Sequence, residues 1–419
     1  MSSQPPTSTR QDSGQREAAT GGPESAPFPS AVRTPGKRVN GIDGLRTLAV
    51  MLVIVYHFNP DKLPGGSIGV DVFYTISGFV ITRLLIAEFA RTGDISLRQF
   101  YRRRWLRLVP ALLVVCAVTA LLSFAPVQSF RHGVSAALLA AFSLVNLVRA
   151  AQSGAYTGVT APLGHTWSLG VEEQFYLLWP PVLLLLLRRL KARTVLIAAA
   201  VLTLLPVLWR FHLWNAEAAH RIYNGPDTRA DQLLAGAVLA IVLARLAPDD
   251  PWRETLRTWS ARLWVPAFAL LGLMAWQLQI TGDSAWIAPE YTIGFLVTAL
   301  LAVVLLTSLE LLPGSPLNRV LSLAPLAWIG RNLSYGLYLW HYPLMHLLSD
   351  LGVERMLFPS TLLATFIMAL ASYFLVEEPC RRIKQRGRGR GTPTGRSGGG
   401  LRTPEQVLPT SVGAPGRAR

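Results

Sequence analysis

Arg46 and His57 stand eleven residues apart in the apolar run GLRTLAVMLVIVYHF, residues 44–58. At about 100° per residue, eleven residues make close to three whole helical turns, so both side chains share one face, roughly 16.5 Å apart along the axis. A guanidinium grips phosphate oxygens through paired donors. An imidazole takes up a proton near neutrality. One helix face therefore offers anion recognition at one level and proton abstraction at another. A charged side chain at a span centre costs about 2.5–3.5 kcal/mol on insertion scales, so this face must look into a helix bundle or a water-filled cavity.

Other apolar runs carry more such groups: Asp71, Glu172, Glu173, Arg229, Asp231, Arg331 and His341. Acyl transfer to an alcohol needs a base for the hydroxyl proton, and His57 is the first candidate, with His165 and His341 as rivals that line a cavity or orient neighbours. Asp71 has two readings. It holds the imidazole in one tautomer, as the acid of a Ser-His-Asp site does, or it is a helix N-terminal acid favoured by the dipole. Glu172 and Glu173 differ by about 100° around a helix and cannot both face one cavity. Ser77 and Ser168 lack the surroundings of a nucleophile elbow, and Ser beside Gly in a span is a packing signature. No HExxH and no paired-cysteine spacing occurs, so no metal site is expected.

The elements that position these groups are membrane helices. The 419 residues are 51% hydrophobic and 15% charged, with apolar runs near twenty residues, the pattern of a polytopic all-α bundle rather than a soluble domain. The net charge of +16 does not indicate nucleic acid, because residues 381–419 hold ten Arg or Lys against one Glu in a Gly- and Pro-rich tail. Such a tail suits the anionic lipid of a cytosolic membrane face. Residues 1–40 are polar, with no cleavable signal expected. Two cysteines, Cys116 and Cys380, offer no disulfide framework.

Eleven apolar segments are predicted, at 44–60, 69–89, 108–126, 133–150, 167–187, 194–212, 230–247, 262–280, 291–312, 325–349 and 357–377. If 133–150 only dips into the membrane, every basic cluster falls on the cytosolic side. The preferred arrangement is ten spans with both termini cytoplasmic; eleven spans violate one loop. Arg46 and FYRRRWLRLVP (100–110) then lie at the cytosolic level, and His57, Asp71 and GHTWS (164–168) toward the outside. The three divisions expected are 1–40, a transmembrane domain at 41–380, and a basic tail at 381–419.

Six strings in order, Arg46 through His57, GGSIGVDVFYTISGF (65–79), FYRRRWLRLVP (100–110), HTWSLGVEEQFYLLWP (165–180), RADQLLAGAVLA (229–240) and IGRNLSYGLYLWHYPL (329–344), resemble the acyltransferase 3 family of integral membrane O-acyltransferases. The resemblance runs from about 40 to 382. It implies a bacterial plasma-membrane enzyme that moves an acyl group, commonly acetyl, from acyl-CoA to a hydroxyl of a sugar, cell-envelope glycan, glycolipid or secondary metabolite. The family's Arg, ten residues, His pattern maps onto Arg46 and His57, and its paired arginines onto Arg104 and Arg107. Tyr74 and Thr75 stand where Phe and a bulky aliphatic residue are usual. Larger members carry an additional SGNH-type domain, for which residues 381–419 are too short.

With coenzyme A as donor, Arg104 and Arg107, three apart on one helix face, are expected to dock its phosphates with Arg46. His57 and Asp71 are then the catalytic candidates, and His165, Ser168, Glu172, Glu173, Arg229, Asp231 and His341 the substrate-cavity candidates. The competing class is a proton-coupled transporter, which buried Arg, Asp, Glu and His also suit. Against it, the second half of the chain does not repeat the first.

Overall fold

The computed structural model describes residues 38–151, 158–277, 287–353, 356–380 and 382, and among them every regular element is helical. The terminal segments expected at 1–40 and 381–419 lie outside the described residues, apart from 38–40 and 382. In chain order the helices are α1 (Asn40–Phe58), α2 (Ile68–Thr92), α3 (Leu97–Leu122), α4 (Gly133–Ala141), α5 (Val145–Ala151), α6 (Trp167–Arg189), α7 (Ala192–Leu213), α8 (Ala219–Asn224), α9 (Pro226–Arg245) and α10 (Pro251–Gln277). Then come α11 (Ile287–Pro289), α12 (Phe295–Leu311), α13 (Pro316–Leu321), α14 (Ala324–Asn332), α15 (Ser334–Asp350) and α16 (Leu357–Ser372). A π-helical turn, Glu290–Gly294, joins α11 to α12, and a second, Tyr373–Glu377, extends α16.

Among the described residues, six helices are long and apolar enough to cross a membrane, seven if α4 and α5 count as one. Four of the predicted segments differ informatively. The helices of the third and eighth segments, α3 and α10, begin at Leu97 and Pro251, well before the apolar windows at 108 and 262, because their first turns are basic yet still helical. The stretch 325–349 is two helices separated at Leu333. The short segment 133–150 is also two helices, bent by 111°. Its corner is Ser143, whose φ of 56° puts it in the left-handed region that side chains avoid. Gln174 of α6 holds that corner, donating to the Ser143 carbonyl at 3.0 Å and exchanging hydrogen bonds with the Asn146 amide.

The bundle is built on close helix contacts at glycine. A Cβ at Gly78 would stand 1.8 Å from the Leu233 carbonyl, and one at Gly236 2.0 Å from that of Thr75, so α2 and α9 meet backbone to backbone. Small residues permit such approach where apolar packing supplies the attraction. The glycine-dense GGSIGVD does the same for α1 and α2: Gly69 lies against the Ala49 carbonyl. On its other side α1 is seated on α14, where Gly330 abuts the Asp43 carbonyl and the Thr47 hydroxyl donates to the Leu326 carbonyl at 2.7 Å. The outer surface is apolar: Ile197, Val201, Leu204 and Leu208 form an exposed stripe along α7, a surface suited to lipid and not to water.

Candidate active site

The start of α2 packs closely on α1, with Gly69 against the Ala49 carbonyl, and Arg46 shares a cavity wall with Val70, Phe73, Tyr74 and Ser77 from the N-terminal half of α2. That cavity, of about 620 Å³ counting its open mouth, is walled by α1, α2, α3, α6 and α15.

Its arginine end carries Arg46, Arg104 and Arg107. The Arg104 guanidinium lies 3.6 Å from the centre of the Tyr176 ring, a cation over an aromatic face. Tyr176 donates to Glu172 at 2.5 Å, which ties down the carboxylate on the same wall. The Nε atoms of Arg46 and Arg104 are buried with no hydrogen-bond partner among the described residues. Buried guanidinium donors without acceptors are uncommon, and here both residues line the cavity.

Beyond the arginines a layer of hydroxyls crosses the cavity. Tyr74 donates to the Ser168 carbonyl at 3.1 Å, and Tyr338 to the His165 carbonyl at 2.8 Å. Tyr338 has one hydroxyl proton and spends it there, so in the 2.5 Å contact between the two hydroxyls Ser168 is the donor. Ser168 is thus bonded to a phenol, with no imidazole to take its proton. That arrangement does not activate a nucleophile.

One turn past Tyr338 on α15 stands His341, fully buried, with its Nε2 3.2 Å from Nδ1 of His57. The Nδ1 of His57 also meets the Val53 carbonyl at 2.9 Å, and that of His341 the Tyr338 and Leu337 carbonyls at 2.7 and 3.2 Å. His165 packs edge-on against His341 with ring centres 5.1 Å apart, and Tyr342 closes on His57 at 5.0 Å. Pro343 lacks an N–H, so the helical donor to the Leu339 carbonyl is missing at the level of these rings.

Asp71, Arg229 and Asp231 are held in buried ion pairs. Of the two readings of Asp71, the structure places it as a helix-end acid in the first turn of α2, where its carboxylate binds Arg229 of α9, with both side chains buried. Arg229 is enclosed by rings, with Phe295 at 3.8 Å, Tyr223 at 5.0 Å and Trp167 at 5.5 Å. Asp231 binds Arg210 through two contacts of 2.8 and 2.9 Å, and Arg210 also donates to the Thr228 and Thr292 carbonyls. These pairs brace α2, α7, α9 and the π turn before α12. Among the residues expected in a substrate cavity, Ser168 and Glu172 are on its wall; Glu173, Arg229 and Asp231 are not, and His165 and His341 lie past the hydroxyl layer.

Sequence reading missed Arg210 and Tyr338. Arg210 was visible as a lone cation in an apolar run. Tyr338 precedes His341 by three residues, the spacing that places two side chains on one helix face.

A family model described as an acyltransferase domain, acyltransferase 3, matches residues 39–377. The peptidoglycan O-acetyltransferase OatA of Listeria monocytogenes is 34% identical over 360 residues, 83% of this chain and 56% of its own. The O-acetyltransferase OatA of Staphylococcus aureus is 36% identical over 356 residues, covering 82% and 57%. This chain therefore spans a little over half the length of the curated relatives it matches. No solved structure matches it.

Proposed function

The chain belongs to the acyltransferase 3 family, and on that premise we propose that it is a membrane O-acyltransferase taking an acyl group, acetyl above all, from acyl-CoA. The observation that carries this reading is the cavity itself, lined by Arg46, Arg104 and Arg107 and by Tyr338, three residues before the His341 that meets His57. The phosphates of coenzyme A need guanidinium donors that are not already engaged, and the unpartnered Nε atoms of Arg46 and Arg104 fit that need. The uncharged pantetheine arm suits the narrower, mixed-polarity wall of Tyr74, Tyr335 and Tyr338.

In the reaction an acceptor hydroxyl attacks the thioester carbonyl while His57 takes its proton. The C–S bond then breaks, and the departing thiolate recovers that proton from the imidazolium. The acceptor is a sugar hydroxyl of the cell wall, a reading supported by the relative named as a peptidoglycan O-acetyltransferase.

Ten spans accommodate this chemistry. Beside the six apolar helices, α6, α9, α10 and α15 run 23, 20, 27 and 17 residues, lengths that span a bilayer core. The bent pair α4–α5 then enters and returns. Both termini and the arginine end face the cytosol, where acyl-CoA is made.

The test is release of free coenzyme A from acetyl-CoA by the purified protein in lipid nanodiscs, with and without muropeptide acceptors. Acceptor-dependent release that is lost in His57→Ala supports the reading. Folded protein that neither binds nor turns over acetyl-CoA overturns it in favour of a transporter.

A further inference from the structure

We propose that His341 is the positioning residue of the base, accepting a hydrogen bond from His57 Nδ1 and so fixing which nitrogen of His57 is free to take a proton. The inference rests on the reading of His57 as general base and adds to it the partner that orients it.

The argument is one of hydrogen-bond polarity. Carbonyl oxygens only accept. His341 Nδ1 lies 2.7 Å from the Tyr338 carbonyl and 3.2 Å from that of Leu337, so it must carry a hydrogen. A neutral imidazole has one N–H, so His341 Nε2 presents a lone pair, and it is aimed at His57 Nδ1 at 3.2 Å. His57 Nδ1 must then be the donor, as the Val53 carbonyl at 2.9 Å independently requires. Two unrelated contacts thus demand the same tautomer of His57, and its Nε2 is left with the lone pair. In a serine hydrolase a buried carboxylate performs this task. Here the candidate carboxylate, Asp71, is held by Arg229, and an imidazole, His341, meets His57 Nδ1.

A neutral acceptor also suits the surroundings. A carboxylate buried beside His57 without its own cation would carry a heavy desolvation penalty, whereas a second imidazole carries none until turnover. The groups around the pair are Tyr56 on α1, Tyr342 and His346 on α15, His165 ahead of α6 and Arg149 on α5. When Nε2 accepts the proton of the acceptor hydroxyl, the Nδ1–H bond to His341 becomes charge-assisted and strengthens. The proton then passes from Nε2 to the thiolate of coenzyme A, and the pair returns to its neutral form.

The test compares His341→Gln, His341→Leu and His57→Ala in nanodiscs, measuring kcat, KM and acetyl-CoA binding. Gln keeps an acceptor oxygen and an amide donor, and Leu keeps neither. The expected result is kcat lowered roughly 10²-fold in His341→Leu with acetyl-CoA binding and both KM values near wild type, and substantial recovery in His341→Gln. Wild-type kcat in His341→Leu beside an inactive His57→Ala overturns the pairing and leaves the base reading standing. Full activity in His57→Ala removes the base reading itself. Equal loss in both His341 variants together with loss of acetyl-CoA binding makes the role structural and overturns the proposal. Nitrogen-15 spectra of histidine in the unaltered protein give a second measure that needs no variant. Nδ1–H tautomers at His57 and His341 are expected, and an Nε2–H tautomer at His341 contradicts the proposal.

Discussion

Asp71 and Arg229 form an ion pair inside the helix bundle, with the cation enclosed by Phe295, Tyr223 and Trp167. Asp71, the acid considered as a partner for His57, is therefore committed to α9. Removing one member of a buried pair leaves the other charge uncompensated, at about 3–5 kcal/mol. Asp71→Asn should lower the thermal midpoint in detergent by that order of destabilisation, and Arg229→Met in the same background should restore much of it. An unchanged midpoint with lost turnover would give Asp71 a direct part in the chemistry.

Arg46→Ala and Arg104→Ala should each raise the KM for acetyl-CoA by about 10-fold or more, the range for loss of a charged hydrogen bond, with a smaller change in kcat. Titration of acetyl-CoA into nanodisc-embedded protein checks this. Equal affinity in wild type and the Arg46 variant would separate the arginine end from the donor.

Two glycines should respond in opposite ways to the same substitution. In Gly330→Ala the new Cβ would stand 1.7 Å from the Asp43 carbonyl, forcing α14 off α1, so folded yield should fall. Gly272, inside α10, has nothing within 4 Å of an added Cβ. Gly272→Ala should be neutral or stabilising by about 0.5–1 kcal/mol. Size-exclusion yield and thermal midpoint read both.

Ser168 donates its proton to Tyr338, so direct transfer without an acyl-serine is expected. Ser168→Ala should keep turnover within about 10-fold of wild type, since a neutral hydrogen bond contributes roughly 0.5–1.5 kcal/mol. Mass spectrometry of wild-type protein quenched during turnover should find no acyl group on Ser168; finding one, with an inactive alanine variant, would reverse the mechanism.

The helical class and the two ends of the site were legible in the sequence because each is a local matter. Apolar length marks membrane helices, and Arg46 with His57 share a face by simple periodicity. What could not be read was pairing across helices. Nothing local distinguishes Asp71 facing His57 from Asp71 facing Arg229, 158 residues away, nor joins His57 to His341 across 284. The bend at Ser143 escaped for a related reason, since Gln174, which steadies it, belongs to another helix. The early starts of α3 and α10 escaped because hydropathy locates lipid-facing turns, and helices continue past them.

The hydroxyl layer of Tyr74, Ser168 and Tyr338 bears on the energy economy of the cell as well as on acyl transfer. An unbroken wet path from the arginine end to the histidine pair would conduct protons across a membrane that stores about 2.3 kcal/mol per charge for each 100 mV. In this conformation those hydroxyls bond to one another and to backbone carbonyls. The layer thereby interrupts that path. On the proposed function, each donor arm that reaches His57 must part this layer and fill the gap with its own body, so that transfer and electrical tightness are maintained together.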